Sequence, residues 1–165
     1  MPEATEKNSK SKISRILLSL GLSIGTGIVA WLFSLNSKQV YGALKKPAFA
    51  PPSWIFGPVW AVLYVLMGIA LYFVIKDGIK EPKIKNAFIY FCIQLVFNVL
   101  WSVLFFTLQL RAAALVDIII LLIYIAVTTY KFFRIDKKAG YLMLPYLAWV
   151  LFASILNLSI VMLNG

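Results

Sequence analysis

Residues 86–110 read Asn-Ala-Phe-Ile-Tyr-Phe-Cys-Ile-Gln-Leu-Val-Phe-Asn-Val-Leu-Trp-Ser-Val-Leu-Phe-Phe-Thr-Leu-Gln-Leu, 25 positions without a charge. A helix crossing a hydrocarbon core about 30 Å thick needs about 20 predominantly apolar residues. The stretch meets that requirement, and four others resemble it. They are 16–35, 47–75 with helix from about Trp54, 112–130 interrupted only by Asp117, and 139–165. The pattern predicts an all-α integral membrane bundle of five transmembrane helices, at about 13–35, 54–76, 84–106, 111–133 and 139–163. Residues 1–12 are predicted to be a disordered cytoplasmic N-terminus, 13–165 the five-helix domain, and 36–53 a proline-rich loop.

Composition agrees with that class. Of the 165 residues, 62% are hydrophobic and 13% charged, with a mean hydropathy of +0.89. Soluble domains carry about 25% charged residues. The net charge of +10 does not imply nucleic acid, because the basic residues cluster at the ends of apolar runs, where headgroups lie. The chain has no histidine and a single cysteine, Cys92 inside the third run. No metal is therefore expected. The first run follows Lys7, Lys10, Lys12 and Arg15, but it is too long for a signal peptide and lacks a small-residue cleavage site, so it reads as a retained helix.

Basic residues also set the expected orientation. Twelve of the sixteen lie in the N-terminus and in the second and fourth connections. The other four are Lys38, Lys45, Lys46 and Arg111. The positive-inside bias places the N-terminus in the cytoplasm of a multi-pass cell-membrane protein, with the first loop and the C-terminus outside.

Polar groups at membrane depth are costly, so their positions are informative. In the third run Gln94, Asn98 and Ser102 share a stripe, with Trp101 beside them. Trp60, Tyr64 and Gly68 form a stripe in the second run, and Trp149, Ala153 and Asn157 in the fifth, flanked by Tyr146 and Ser154. Such stripes read either as hydrogen-bonding glue between helices or as the lining of a pocket. Asp117, about 9 Å from its helix start, reads either as an acid placed near a helix N-terminus or as a buried partner for pocket groups. Gly21-x-x-x-Gly25 permits a close helix contact inside the bundle or in a dimer. Trp31 and Trp54 fit interface aromatics.

Four prolines (Pro47, Pro51, Pro52, Pro58) in twelve positions stiffen the segment before and into the second helix. Pro47, Phe49, Pro51, Pro52 and Trp54 could fold back as a lid over the bundle mouth, or form an interfacial linker.

Several of these pieces together resemble the TspO/MBR family, the tryptophan-rich sensory proteins and translocator proteins. They are Tyr41-Gly-Ala-Leu-Lys-Lys-Pro47, Pro51-Pro-Ser-Trp-Ile-Phe-Gly-Pro-Val-Trp60 with Tyr64 and Met67-Gly68, and Gln94-x-x-x-Asn98-x-x-Trp101-Ser102 with Phe105-Phe106. Ala114-Leu-Val-Asp117 and Leu144-Pro-Tyr-Leu-Ala-Trp149 with Phe152-Ala153 and Leu156-Asn157 complete the match, which runs from about Gly21 to Asn157. The resemblance implies a sensor or receptor binding porphyrins or other tetrapyrroles, protoporphyrin IX-like, between the helices beneath the first loop. Tyr41, Trp60, Tyr64, Gln94, Asn98, Trp101, Asp117, Tyr146, Trp149, Ala153 and Asn157 are the expected ligand-binding residues. Trp60 and Trp149 match the family tryptophans tied to light-dependent porphyrin breakdown and are the candidate catalytic pair. No cofactor is required beyond the porphyrin ligand. Transport of tetrapyrroles and photo-oxidative degradation are the alternative activities; the sequence shows no internal repeat of the transporter kind. Family dimers imply a homodimer, although the third helix lacks a small-residue stripe. Phe49 stands where the family usually has Trp. The end of the fifth helix lacks the Tyr and basic residue of a sterol-recognition segment, so sterol binding is not carried over.

Overall fold

The computed structural model describes the backbone of residues 2–164 and the side chains of residues 11–164. Among the described residues six α-helices follow one another: α1 (Pro2–Leu32), α2 (Ser37–Ala43), α3 (Phe56–Ile75), α4 (Pro82–Ser102), α5 (Arg111–Ile135) and α6 (Lys137–Asn164). A 3-10 turn, Ser53–Ile55, leads into α3, and a π-helical turn, Val103–Thr107, ends the α4 rod. All but α2 contain stretches long and apolar enough to cross a membrane, that of α1 being Ser11–Leu32. Short connections make successive long helices antiparallel. Around the bundle α1 packs on α3, α3 on α6, α6 on α5, α5 on α4, and α4 returns to α1.

The two ends of this ring are fastened differently. At one end Asp136 separates α5 from α6 in an extended conformation, and its carboxylate accepts from the Lys138 backbone N–H at 2.8 Å, an N-cap for α6. The Lys76 ammonium donates to the same carboxylate at 3.0 Å. The Arg15 guanidinium donates to the Lys76 carbonyl. Three polar groups thus join α1, the end of α3 and the α5–α6 corner. At the other end Asn36 Nδ2 donates to the Phe106 carbonyl (3.1 Å) and Thr107 Oγ1 to the Phe33 carbonyl (3.0 Å). Lys45 and Asn164 exchange two hydrogen bonds of 3.0 Å, holding the proline-rich segment to the last turn of α6.

The half of the bundle toward Asp136 is solid. Met67, Leu71, Ile75, Phe91, Phe132 and Met143 are fully buried, and Phe91 stacks on Phe132 with centroids 5.8 Å apart. Small residues let α1 approach α3: the Gly68 Cα lies under Leu20 and the Ser19 carbonyl, and Gly27 lies under the ring of Tyr64. The contact stripe of α1 is therefore Ser19, Ser23 and Gly27, with the two serines fully buried. A β-carbon at Gly21 or Gly25 would meet no other helix within 4 Å, so that pair makes no close contact inside the bundle and the intrabundle alternative is corrected.

Two further departures from the sequence reading have local causes. Residues 2–12, expected to be unstructured, continue α1 from Pro2; proline is pre-organised for a first helical turn, and no further proline or glycine follows before Gly21. Residues 36–53 are not a plain loop, because 37–43 contain no proline and form α2, burying Val40 and Tyr41. The Lys46 ammonium closes that helix by donating to the carbonyls of Tyr41 (2.9 Å) and Leu44 (3.0 Å).

The Lys76–Asp136 pair gives stability a defined pH window. Burial pushes Asp136 up, but the bonds from Lys76 and from the Lys138 and Ala139 backbone outweigh it and hold the carboxyl below its ordinary 3.8. The hydrogen bond to Asp136 holds Lys76 above its ordinary 10.5. The Asp136 contribution is present above the ordinary carboxylate range and is lost as pH falls through its lowered value. The Lys76 contribution is present below 10.5 and is lost as pH rises through its raised value. With Lys76 partly exposed, the pair is worth about 0.2–1 kcal/mol. Lys76→Met is expected to lower the melting temperature in detergent slightly at neutral pH. The gap to wild type should close as acid titrates Asp136, and a gap independent of pH would refute the pairing.

Candidate functional site

The half of the bundle toward α2 is hollow. A cavity of about 880 Å³ lies between α1, α3 and α4 beneath α2 and the Ser53–Ile55 turn, with one residue of α6, Trp149, in its wall. Its volume falls in the ~300–1,000 Å³ range of small-molecule sites. The hollow forms where large flat side chains fill the space incompletely. The Tyr64 ring occupies the place a Gly27 side chain would take, since a β-carbon there would stand 2.5 Å from Tyr64 Cδ2. Trp60 stacks on Tyr64 (5.6 Å) and meets Tyr146 edge-on (6.1 Å). Phe56 bridges Tyr41 (5.3 Å) and Trp149 (5.9 Å), and Trp101 stacks on Phe105 (5.0 Å). Of these rings, Tyr41, Phe56, Trp60, Tyr64, Trp101 and Trp149 border the interior.

One polar network closes the cavity toward the solid half. The Tyr64 hydroxyl donates to Asn98 Oδ1 at 2.5 Å, and Asn98 Nδ2 donates to the Tyr146 hydroxyl at 3.1 Å. Side chains from α3, α4 and α6 satisfy one another there. Trp101 is fixed from behind: its Nε1–H donates to Asn157 Oδ1 (3.0 Å), and Asn157 Nδ2 donates to the Arg111 carbonyl (3.1 Å). Tyr41 is buried, donates to the Pro51 carbonyl (2.9 Å), and has its hydroxyl pKa raised by burial above 10.0.

Of the expected residues, Tyr41, Trp60, Tyr64, Asn98, Trp101 and Trp149 line this cavity. Tyr146 stands directly behind the wall, holding Asn98 and touching Trp60. Gln94, Asp117, Ala153 and Asn157 are buried but do not line this cavity. Gln94 sits one turn past Asn98, on the far side of the network, with Nε2 3.9 Å from Met67 Sδ. Asp117 belongs to α5, which the ring order holds away from the cavity, and among the described residues its carboxylate has no hydrogen-bond partner. Asn157 acts on the wall only through Trp101. Of the lid residues, only Trp54 reaches the cavity, as a largely exposed rim residue; Pro47, Phe49, Pro51 and Pro52 do not line it. Phe49 instead meets Phe152 edge-on at 6.3 Å, and Pro51 acts through its carbonyl on Tyr41.

The sequence reading missed the contribution of α1. Gly27, Ile28 and Trp31 of α1 line the cavity, with Ser34 in the turn after it, as do Phe56, Lys38 and Phe106 elsewhere. Gly27 followed by Ala30 and Trp31 was the available signal, a small-residue face ending in an indole. Trp149 has a second exposure: it also lines an apolar groove of about 500 Å³ between α3 and α6, beside Pro58 and Pro145. Pro145 lacks the N–H that would bond the preceding turn of α6. Among the described residues no group of three His, Cys, Asp or Glu could hold a metal.

The model of the TspO/MBR family matches residues 18–163. The chain is 42% identical over 155 residues to "Tryptophan-rich protein TspO" of Archaeoglobus fulgidus, covering 93% of this chain and 99% of that one. It is 35% identical to "Tryptophan-rich sensory protein" of Cereibacter sphaeroides (79% and 80% covered) and 36% identical to the human "Translocator protein" (84% and 80% covered).

The Asn98 network predicts non-additive mutations. Tyr146→Phe leaves the Asn98 amide without its acceptor, and Asn98→Ala removes the centre of the network. Hydrogen bonds between membrane helices are worth about 0.6 kcal/mol on average and up to about 1.7. Each variant should lower unfolding stability in detergent by that order, and the double variant by little more than Asn98→Ala alone. Fully additive losses would show that the two residues act separately.

Proposed function

The chain belongs to the TspO/MBR family, and on that footing we propose that it binds porphyrins or related planar tetrapyrroles in the α1–α3–α4 cavity and acts as their sensor or receptor. The observation that carries this reading is the aromatic wall: Trp60, Trp101, Trp149, Tyr41 and Tyr64 border one cavity, so a flat apolar molecule would meet aromatic side chains on several sides. An aromatic pair of this kind contributes about 0.5–1.5 kcal/mol beyond the area it buries. The Tyr64–Asn98–Tyr146 network gives the deep end a fixed shape without a charge. The protein is a multi-pass membrane protein, and in this reading it lies in the cell membrane with its N-terminus in the cytoplasm and the α2 end outside. The names of two relatives, one sensory and one a translocator, accord with a ligand held in a membrane bundle.

A second activity is favoured by one placement. Trp60 and Trp149 both border the cavity, and the Trp149 Nε1–H has no hydrogen-bond partner among the described residues. An indole so placed can give an electron to a photoexcited macrocycle, leaving an indole radical cation and a reduced ring. Light-dependent porphyrin degradation would follow from that step in the presence of dioxygen.

Titration with protoporphyrin IX should quench tryptophan fluorescence saturably in detergent. The Trp60→Phe/Trp149→Phe double variant should bind more weakly, by about fivefold for a loss near 1 kcal/mol. Quenching that never saturates would overturn the binding reading. Under illumination the complex should yield a new absorbing product, and an unchanged rate in either single tryptophan variant would remove the photochemical one.

A further inference from the structure

The cavity wall contains one charged side chain, Lys38 on α2. Its deep end carries no charge, and the polar groups there already bond one another through Asn98. Any anionic group on a bound molecule is therefore matched at the mouth and nowhere else in the cavity. The other cations at this end are committed or outside the wall. Lys46 donates to carbonyls of α2, Arg111 donates to Gln109 Oε1 at 3.2 Å, and Lys45 is held through its backbone by Asn164.

Among the described residues no carboxylate pairs with Lys38. The sequence contains six acidic residues. Glu3 and Glu6 precede the membrane-crossing stretch of α1, which begins at Ser11. Asp77, Glu81 and Asp136 occupy the connections at the opposite end of the bundle, and Asp117 is buried on α5 outside the wall. Among the described residues Lys38 enters no ion pair, whereas Lys76 and Lys83 both do. Lys38 is an exposed lysine bordering an aromatic cavity, with no ion-pair partner among the described residues, so an anion supplied by a ligand would meet no competing partner there.

We propose that Lys38 pairs with a carboxylate at the edge of the bound molecule, so that the site prefers planar apolar acids to uncharged molecules of the same skeleton. The pairing fixes orientation as well as preference: the charged edge lies at the mouth under α2, and the opposite edge reaches the Tyr64–Asn98–Tyr146 floor. This inference rests on the binding reading above and adds the chemical class and direction of the ligand. A lipid phosphate offers Lys38 the same kind of charge from outside the cavity, so the test excludes phospholipid by using a non-ionic detergent.

The full chain in non-ionic detergent is titrated with protoporphyrin IX and with its dimethyl ester, which keeps the macrocycle and removes both charges. Wild type should bind the diacid about two- to fivefold more tightly than the ester, the range of a single exposed ion pair, and added salt should narrow the difference. Lys38→Gln should abolish the preference, weakening diacid binding about two- to fivefold relative to ester binding; Lys38→Glu should reverse it, and Lys45→Gln should leave it in place. A preference for the diacid that persists in Lys38→Gln, or equal binding of the two compounds by wild type, overturns the proposal. Restoring the preference by anionic phospholipid alone in Lys38→Gln would also overturn it. Saturable binding of neither compound by wild type would instead be the failure of the binding reading.

Discussion

The Tyr64–Asn98–Tyr146 network is the constraint on which the rest of the bundle depends. In hydrocarbon no water is available to a stranded amide, so Asn98 must find partners on neighbouring helices. It takes one from α3 and one from α6, and each partner is a tyrosine whose ring does a second job. The Tyr64 ring stacks on Trp60 and covers Gly27 of α1; the Tyr146 ring meets the edge of Trp60. One amide therefore fixes the relation of four helices. Below it the bundle is packed with Met, Leu and Phe side chains, and above it the same helices enclose a cavity.

That division explains which residues were legible in the sequence. The five spans were readable because a membrane imposes a length and a charge-free composition that few other environments require. The stripes of Trp60 with Tyr64 and of Asn98 with Trp101 were readable because a polar group on an apolar helix is conspicuous. Whether such a group faces a cavity or another side chain depends on the packing order of the helices, which periodicity does not contain. Asp117 looked like a binding residue for the same reason that Asn98 did, yet α5 stands on the far side of the ring. Gln94 shares a stripe with Asn98 but falls one turn beyond the floor. Conversely, the α1 wall was hidden because glycine, alanine and isoleucine carry no visible chemistry. Gly27 matters through what it lacks, since any side chain there would displace Tyr64.

The proline-rich segment shows a related limit. Its prolines correctly exclude long regular helix across 47–52, but they do not specify what holds the segment in place. The structure supplies that with main-chain carbonyls. Pro51 receives the Tyr41 hydroxyl, Lys46 collects the carbonyls at the end of α2, and Lys45 exchanges two bonds with Asn164. A segment tied at Tyr41, at Lys46 and to the end of α6 is a fixed roof rather than a free flap. Its rim is made by Trp54 and Lys38, one aromatic and one cationic.

Trp149 is where the two surfaces of the bundle meet. The indole borders the cavity on one side and the lipid-facing groove between α3 and α6 on the other. Pro145 within α6 leaves that helix without one of its usual hydrogen bonds beside the groove, while Pro58 lies in the first turn of α3, where a missing N–H costs little. A partition made of one side chain, with an unpartnered N–H and a proline four residues before it, is held less firmly than Trp101, whose indole is anchored through Asn157 to the start of α5. The cavity thus has one fixed indole on α4 and one on α6 that no hydrogen bond fixes. A ligand of varying width would be accommodated at Trp149, because rotating that ring breaks no hydrogen bond, whereas moving Trp101 breaks one.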